Sequence, residues 1–143
     1  MLGIFPIAWA LIASAADGGC SVTFVDGRAP QAPPVATMWA GYGTLRNDSD
    51  RPIKVASISS PDFSMSQMHE TREEGGVERM HRIDPLIVPA HAQVQFAPRG
   101  RHLMLMRPTH SLDEASSLVV EFHVDACVAP VSATLPIVRD REK

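Results

Sequence analysis

The feature that most constrains the fold is repeated interruption. Clusters rich in Pro, Gly, Asn, Asp and Ser cut the sequence at short intervals: Ala29-Pro30-Gln31-Ala32-Pro33-Pro34, Asn47-Asp48-Ser49-Asp50, Ser59-Ser60-Pro61-Asp62, Gly75-Gly76, Asp84-Pro85, Pro89-Ala90 and Pro98-Arg99-Gly100. Proline fixes φ and lacks an amide donor, and Asx and Ser side chains bond their own local backbone, so such clusters read as turns or extended connectors. The segments between them (21–25, 35–46, 53–58, 65–71, 77–83, 86–88, 93–97, 102–106, 118–124 and 131–138) carry strand-like patterns and no convincing helical repeat. About eight short strands with no helix predict an all-β sandwich or barrel in a single domain. Gly41 and Gly43 fall inside the first long strand, as weak points or a bulge.

Side-chain alternation then exposes an oddity. Successive residues of a strand face opposite ways. In His102-Leu103-Met104-Leu105-Met106 the leucines share the core face, so His102, Met104 and Met106 share the outward one. Met80 falls with Glu78 and Arg82 on a solvent-type face, and His69 falls with Met65, Gln67 and Thr71. Two methionines thus point outward, each on a strand with or near an outward histidine. Thioether sulfur and neutral imidazole are the ligand pair that suits Cu(I), a soft ion that carboxylates hold poorly. His69, Met80, His102 and Met104 are therefore candidate metal ligands, and the expected cofactor is Cu(I).

The spacing His69-x10-Met80-x21-His102-x-Met104 resembles the signature of the PCuAC-type periplasmic copper chaperones. The neighbouring residues also match: Met68-His69-Glu70-Thr71, Gly76-Val77, Arg79-Met80, Val88-Pro89-Ala90 and His102-Leu103-Met104-Leu105, within a stretch from 28 to 122. The resemblance implies a cupredoxin-like antiparallel β-sandwich of Greek-key type. It also implies Cu(I) held by His69, Met80, His102 and Met104, for delivery to cytochrome c oxidase. The expected partner is a copper-accepting protein, such as an oxidase subunit or a thioredoxin-like copper chaperone. The last third departs from the family: Arg107-Pro108-Thr109-His110 replaces a small Gly-containing turn, and residues 125–130 differ from the usual final hairpin.

Composition narrows the remaining choices. The net charge is −3, Lys54 and Lys143 are the only lysines, and no basic run occurs, which argues against nucleic acid as a partner. Residues 1–16 are apolar and end in Ala13-Ser14-Ala15-Ala16, a pattern expected of a secretory leader preceding a mature domain at 17–143. A periplasmic monomer is the expectation. Cys20 and Cys127 then form an even pair, expected to be a disulfide in an exported chain. A lipid anchor at Cys20 is the alternative, and with it the one route to a membrane.

Other residues are weighed against the same site. Met106, Met65 and Met38 are candidates to shield or replace a ligand, Met68 belongs to the core, and His81 faces away from Met80. His91, His110 and His123 read as surface histidines, with His110 able to approach the site from its loop. Glu70, Glu73 and Glu74 lie near His69 in sequence and would allow a secondary Cu(II) or Zn(II) site. No nucleophile-and-base pairing, Gly-rich phosphate loop or CxxC stands out, so an enzyme is not expected. Copper storage and a non-metal sandwich with a Met-rich contact patch are the rival readings.

Overall fold

The computed structural model describes residues 20–139, and these are all-β. Ten strands follow in chain order: β1 (Val22–Pro30), β2 (Met38–Asn47), β3 (Ile53–Ser59), β4 (Phe63–Glu74), β5 (Val77–Arg82), β6 (Leu86–Val88), β7 (Gln93–Phe96), β8 (Arg101–Pro108), β9 (Ser117–Val124) and β10 (Val131–Val138). The segments read from the sequence all recur, as ten strands where about eight were expected, with the short β6 and β7 among them. The leader expected at 1–16 lies outside the described residues.

Two sheets form the sandwich. One carries β5, β4, β8, β2 and β1, with β7 beside the far half of β2; the other carries β10, β9, β3 and β6. Nearly all pairings are antiparallel. The exceptions are a single β7–β8 bridge and the end of β1, which runs parallel to β10 at Ala29 and Pro30. β1 reaches both sheets because its register breaks between Val25 and Arg28, where Asp26 adopts φ 56°, a left-handed conformation that Asp tolerates better than most residues.

The core lies between the sheets. Met68, Leu103, Leu105, Leu45 and Phe96 from the first are buried against Leu118, Val120, Phe122, Leu135 and Val55 from the second. Phe24 links the two, 5.0 Å from the Phe122 ring and 6.4 Å from Phe96. These residues alternate with outward ones as expected of half-buried strands.

Gly41 and Gly43 are close-approach positions. A Cβ on Gly41 would sit 3.0 Å from Leu135 across the sandwich, and one on Gly43, at φ 150°, would sit 2.4 Å from the Phe24 ring. Gly43→Ala is therefore expected to destabilise the protein by about 2 kcal/mol or more, through overpacking and backbone strain. A lowered urea midpoint with unchanged slope is the measurement; an unchanged midpoint would show that Phe24 moves aside freely.

The approach to β1 is tied covalently to the connection between β9 and β10. Cys20 and Cys127 form a disulfide, their Cα atoms 5.0 Å apart. This is the pairing expected of the two cysteines in an exported chain.

Candidate metal centre

β4, β5 and β8 bring the four candidate ligands onto one face of the first sheet. Leu103 and Leu105 turn to the core with Met68, which leaves His102 and Met104 on the opposite face of β8 and His69 and Gln67 on that of β4. In register, His69 stands directly opposite His102, and Gln67 opposite Met104. On the other flank of β4, Thr71 pairs with Met80 and His69 with Arg82. Met80 and Met104 are thus diagonal neighbours of His69 on either side, a separation that long side chains span.

The expectation that both methionines are solvent-facing holds for only one. Met80, on edge strand β5, is 61% exposed, whereas Met104 is 8% and His102 6% exposed. Alternation does turn Met104 and His102 away from the core, but β8 is an inner strand flanked by β4 and β2, and neighbours on that face cover them. The face is therefore graded, from an open edge at Met80 to a covered interior at Met104.

Hydrogen bonds fix the two imidazoles. The Gly100 carbonyl lies 3.3 Å from His102 Nδ1, and a carbonyl only accepts, so Nδ1 donates and the neutral ring keeps its lone pair on Nε2. Gln67 Oε1 lies 2.8 Å from His69 Nε2, with the Gln67 amide turned so that its NH2 meets Met65 Sδ at 3.6 Å. His69 Nε2 therefore donates as well, and its lone pair is on Nδ1. Those two lone-pair atoms, His69 Nδ1 and His102 Nε2, are buried and have no hydrogen-bond partner. The ring centroids are 5.9 Å apart. Buried polar atoms are normally satisfied, and leaving one bare costs about 1–3 kcal/mol. Here two such atoms lie on neighbouring rings of one sheet face.

Electrostatics favour the neutral form of His69. Burial pushes the His69 pKa below its ordinary value, aided by His102 and Arg82 and opposed by Asp84. Asp84 is itself committed: Arg82 donates to both its oxygens at 2.8 Å, and this pairing holds its carboxyl below the usual range. Asp84 thus tempers the field at His69 without having an oxygen free of the guanidinium.

The carboxylate alternative fails here. Glu70 and Glu74 alternate onto the face opposite His69; Glu70 meets Arg72 and Arg101, and Glu74 meets His81 and Arg79, while Glu73 shares the His69 face but is exposed near the end of β4, opposite Glu78. Among the described residues no three His, Cys, Asp or Glu side chains converge in the arrangement that the secondary Cu(II) or Zn(II) site would need. His110 does not approach either: it pairs with Asp62 at 2.7 Å, which raises its pKa, the hydrogen bond contributing most. His123 bonds Ser59 at 2.7 Å across β3 and β9, a Ser–His contact the sequence did not reveal. Gln67 was also missed as a positioning residue; its place two residues from His69 on the same strand face was the available signal.

Comparison with solved structures shows the same fold. The copper-bound PCuAC domain from PmoF2 superposes with TM-score 0.67 at 18% identity, over 83% of this chain and 93% of that one. The Cu(I) form of DR1885 from Deinococcus radiodurans gives TM-score 0.63 at 22% identity, over 93% and 87%. The fold is the cupredoxin-like sandwich of PCuAC domains.

Two sequence relatives are more informative about lineage than about activity. An uncharacterized protein of Rickettsia prowazekii (strain Madrid E) is 30% identical over 87 residues, 60% of this chain and 48% of its own length. A protein of Leifsonia xyli subsp. xyli, described as a lipoprotein, is 29% identical over 97 residues, 66% of this chain and 58% of its own. The chain therefore spans about half the length of these relatives. The family model described as "Putative lipoprotein LpqE-like" matches residues 22–136, from the start of β1 into β10, and the chain belongs to the LpqE-like family.

Proposed function

We propose that this protein is an exported Cu(I) carrier that binds one ion through His69 Nδ1, His102 Nε2, Met80 Sδ and Met104 Sδ and passes it to a copper-accepting protein. The observation that carries this reading is the pair of buried, unpartnered imidazole nitrogens. Metal–nitrogen bonds of about 2.0 Å, plus roughly 1 Å from each ring centre to its nitrogen, span about 6 Å when the two nitrogens lie in line through the metal and about 5 Å at a tetrahedral angle. The ring centroids stand 5.9 Å apart. Thioethers beside two neutral imidazoles select a soft monovalent ion over Zn(II), and they need no thiolate that would oxidise outside the cytoplasm. The copper-bound forms of two proteins with this fold add support. Secretion, with residues 1–16 as leader and 17–143 as the mature domain, agrees with the disulfide.

The graded face suits delivery. Met80, at the open edge, is the ligand an incoming donor from an acceptor displaces first, while His102 and Met104 hold the ion from beneath. Exchange by stepwise ligand replacement requires neither a free ion nor a redox change, as delivery to an oxidase copper centre or a thioredoxin-like chaperone demands. An anaerobic competition titration against a Cu(I) chelator should give one tightly held ion per chain. Mixing that loaded protein with a soluble copper-accepting oxidase domain should move the metal. Retention beside a competent acceptor would favour storage, and absence of binding would leave a non-metal contact face.

Met104 needs a careful substitution. Because it is buried, alanine would add a cavity cost to any ligand loss, whereas leucine conserves volume. Met104→Leu is expected to keep the apo fold and weaken Cu(I) by at least about tenfold, equivalent to about 1.4 kcal/mol. Equal chelator competition by wild type and variant would remove Met104 from the ligand set.

Acid should loosen the ion, since imidazole binds metal only when neutral. The lowered His69 pKa places proton competition at that ring below the ordinary value of 6.5, so affinity should be level around neutrality and fall as pH drops below about 6. Apo stability should change in the same direction: as pH falls through 6.5 the unfolded chain takes up a proton at His69 that the folded chain resists. Cu(I) affinity that is flat down to pH 5 would exclude the histidines as ligands.

A further inference from the structure

The same sheet face continues past the imidazole pair into a second arrangement of soft donors. Met106 on β8 pairs directly with Met38 on β2 and with Met65 on β4, so three methionines form one cross-strand row. All three lie on the outward face: Met38 is 56% exposed, Met65 38%, and Met106 is half-buried. Three adjacent, partly exposed thioethers in register are more than scattered surface apolar residues.

We infer that Met38, Met65 and Met106 form a second soft-metal site, made of thioethers alone, for Cu(I) or Ag(I). Directly opposed residues hold their Cβ atoms about 4.5–5.5 Å apart, and methionine adds three rotatable bonds. The outer two side chains can therefore lean over Met106 until three sulfurs surround one ion. The chemistry is selective, because uncharged sulfur ligands bind soft monovalent ions and offer little to Zn(II) or Mg(II). The site does not require the imidazole pair. It lies two residues along β8 from Met104, which gives an ion captured on the exposed row a thioether step toward His102.

The test uses the full chain with 13C-labelled methionine methyls and His69→Leu/His102→Leu to remove the other site. Titrated with Ag(I), the methyls of Met38, Met65 and Met106 should shift together and saturate at one ion, while buried Met68 stays still as an internal control. The single change Met38→Leu, at an exposed position, should weaken Ag(I) by about tenfold or more in this background. Unmoved methyls, independent saturation of the three, or an unaltered titration in Met38→Leu would each overturn the proposal and leave the row as an apolar contact surface. The triple variant Met38→Leu/Met65→Leu/Met106→Leu with both histidines intact separates the two sites. It should still hold one ion, and failure to do so would count against the imidazole site.

Discussion

His102→Leu is expected to lower Cu(I) affinity about 100-fold while leaving the metal-free protein within about 1 kcal/mol of wild-type stability. If a four-ligand metal site is worth on the order of 10–16 kcal/mol, one ligand contributes roughly 3 kcal/mol, or about two decades in affinity. The stability half of the expectation has a separate origin. In the apo protein His102 Nε2 is buried with no partner, an arrangement that costs about 1–3 kcal/mol. Leucine of similar size removes that unsatisfied nitrogen, and this offsets the lost bond from Nδ1 to the Gly100 carbonyl. Chelator competition and urea unfolding of the same sample decide the matter. Unchanged affinity would remove His102 from the site; a large loss of stability would mean that the ring is structural.

The second large effect is on folding. Reducing the Cys20–Cys127 bond, or replacing both residues with alanine, should cost up to about 5 kcal/mol, because the bond closes a loop with a sequence separation of 107. That is a substantial share of the 5–15 kcal/mol typical of a whole domain, and it should lower the thermal midpoint by roughly 10–20 °C. The prediction follows from constraint of the unfolded chain and needs no contact at the bond itself. Parallel melts with and without reductant test it, together with a thiol assay on unreduced, denatured protein. Two reactive thiols in that assay, or coincident melts, would refute it.

The four candidate ligands were legible because two independent patterns agreed on them. Alternation around Leu103 and Leu105 set the outward face of β8, and the x10 and x21 spacings carried the family resemblance. Strand positions were legible for a similar reason, since Pro, Gly and Asx clusters act locally and need no partner to make a turn. Gly43 shows the limit: the sequence marks it as an interruption, and only the Phe24 ring beside it shows that a side chain has no room there.

What the sequence by itself determined, then, was local: strand segments, the faces of their side chains, and a donor set of imidazoles and thioethers suited to a soft ion. Burial and pairing were decided only by the tertiary structure. Alternation reports which face a residue takes but not whether a neighbouring strand covers it, which is why Met104 and Met80, alike in sequence, end at opposite extremes of exposure. Strand order depends on contacts between residues far apart in the chain. It alone set His69 against His102, took Glu70 and Glu74 into arginine and histidine pairs on the other face, and lined up Met38, Met106 and Met65 in one row.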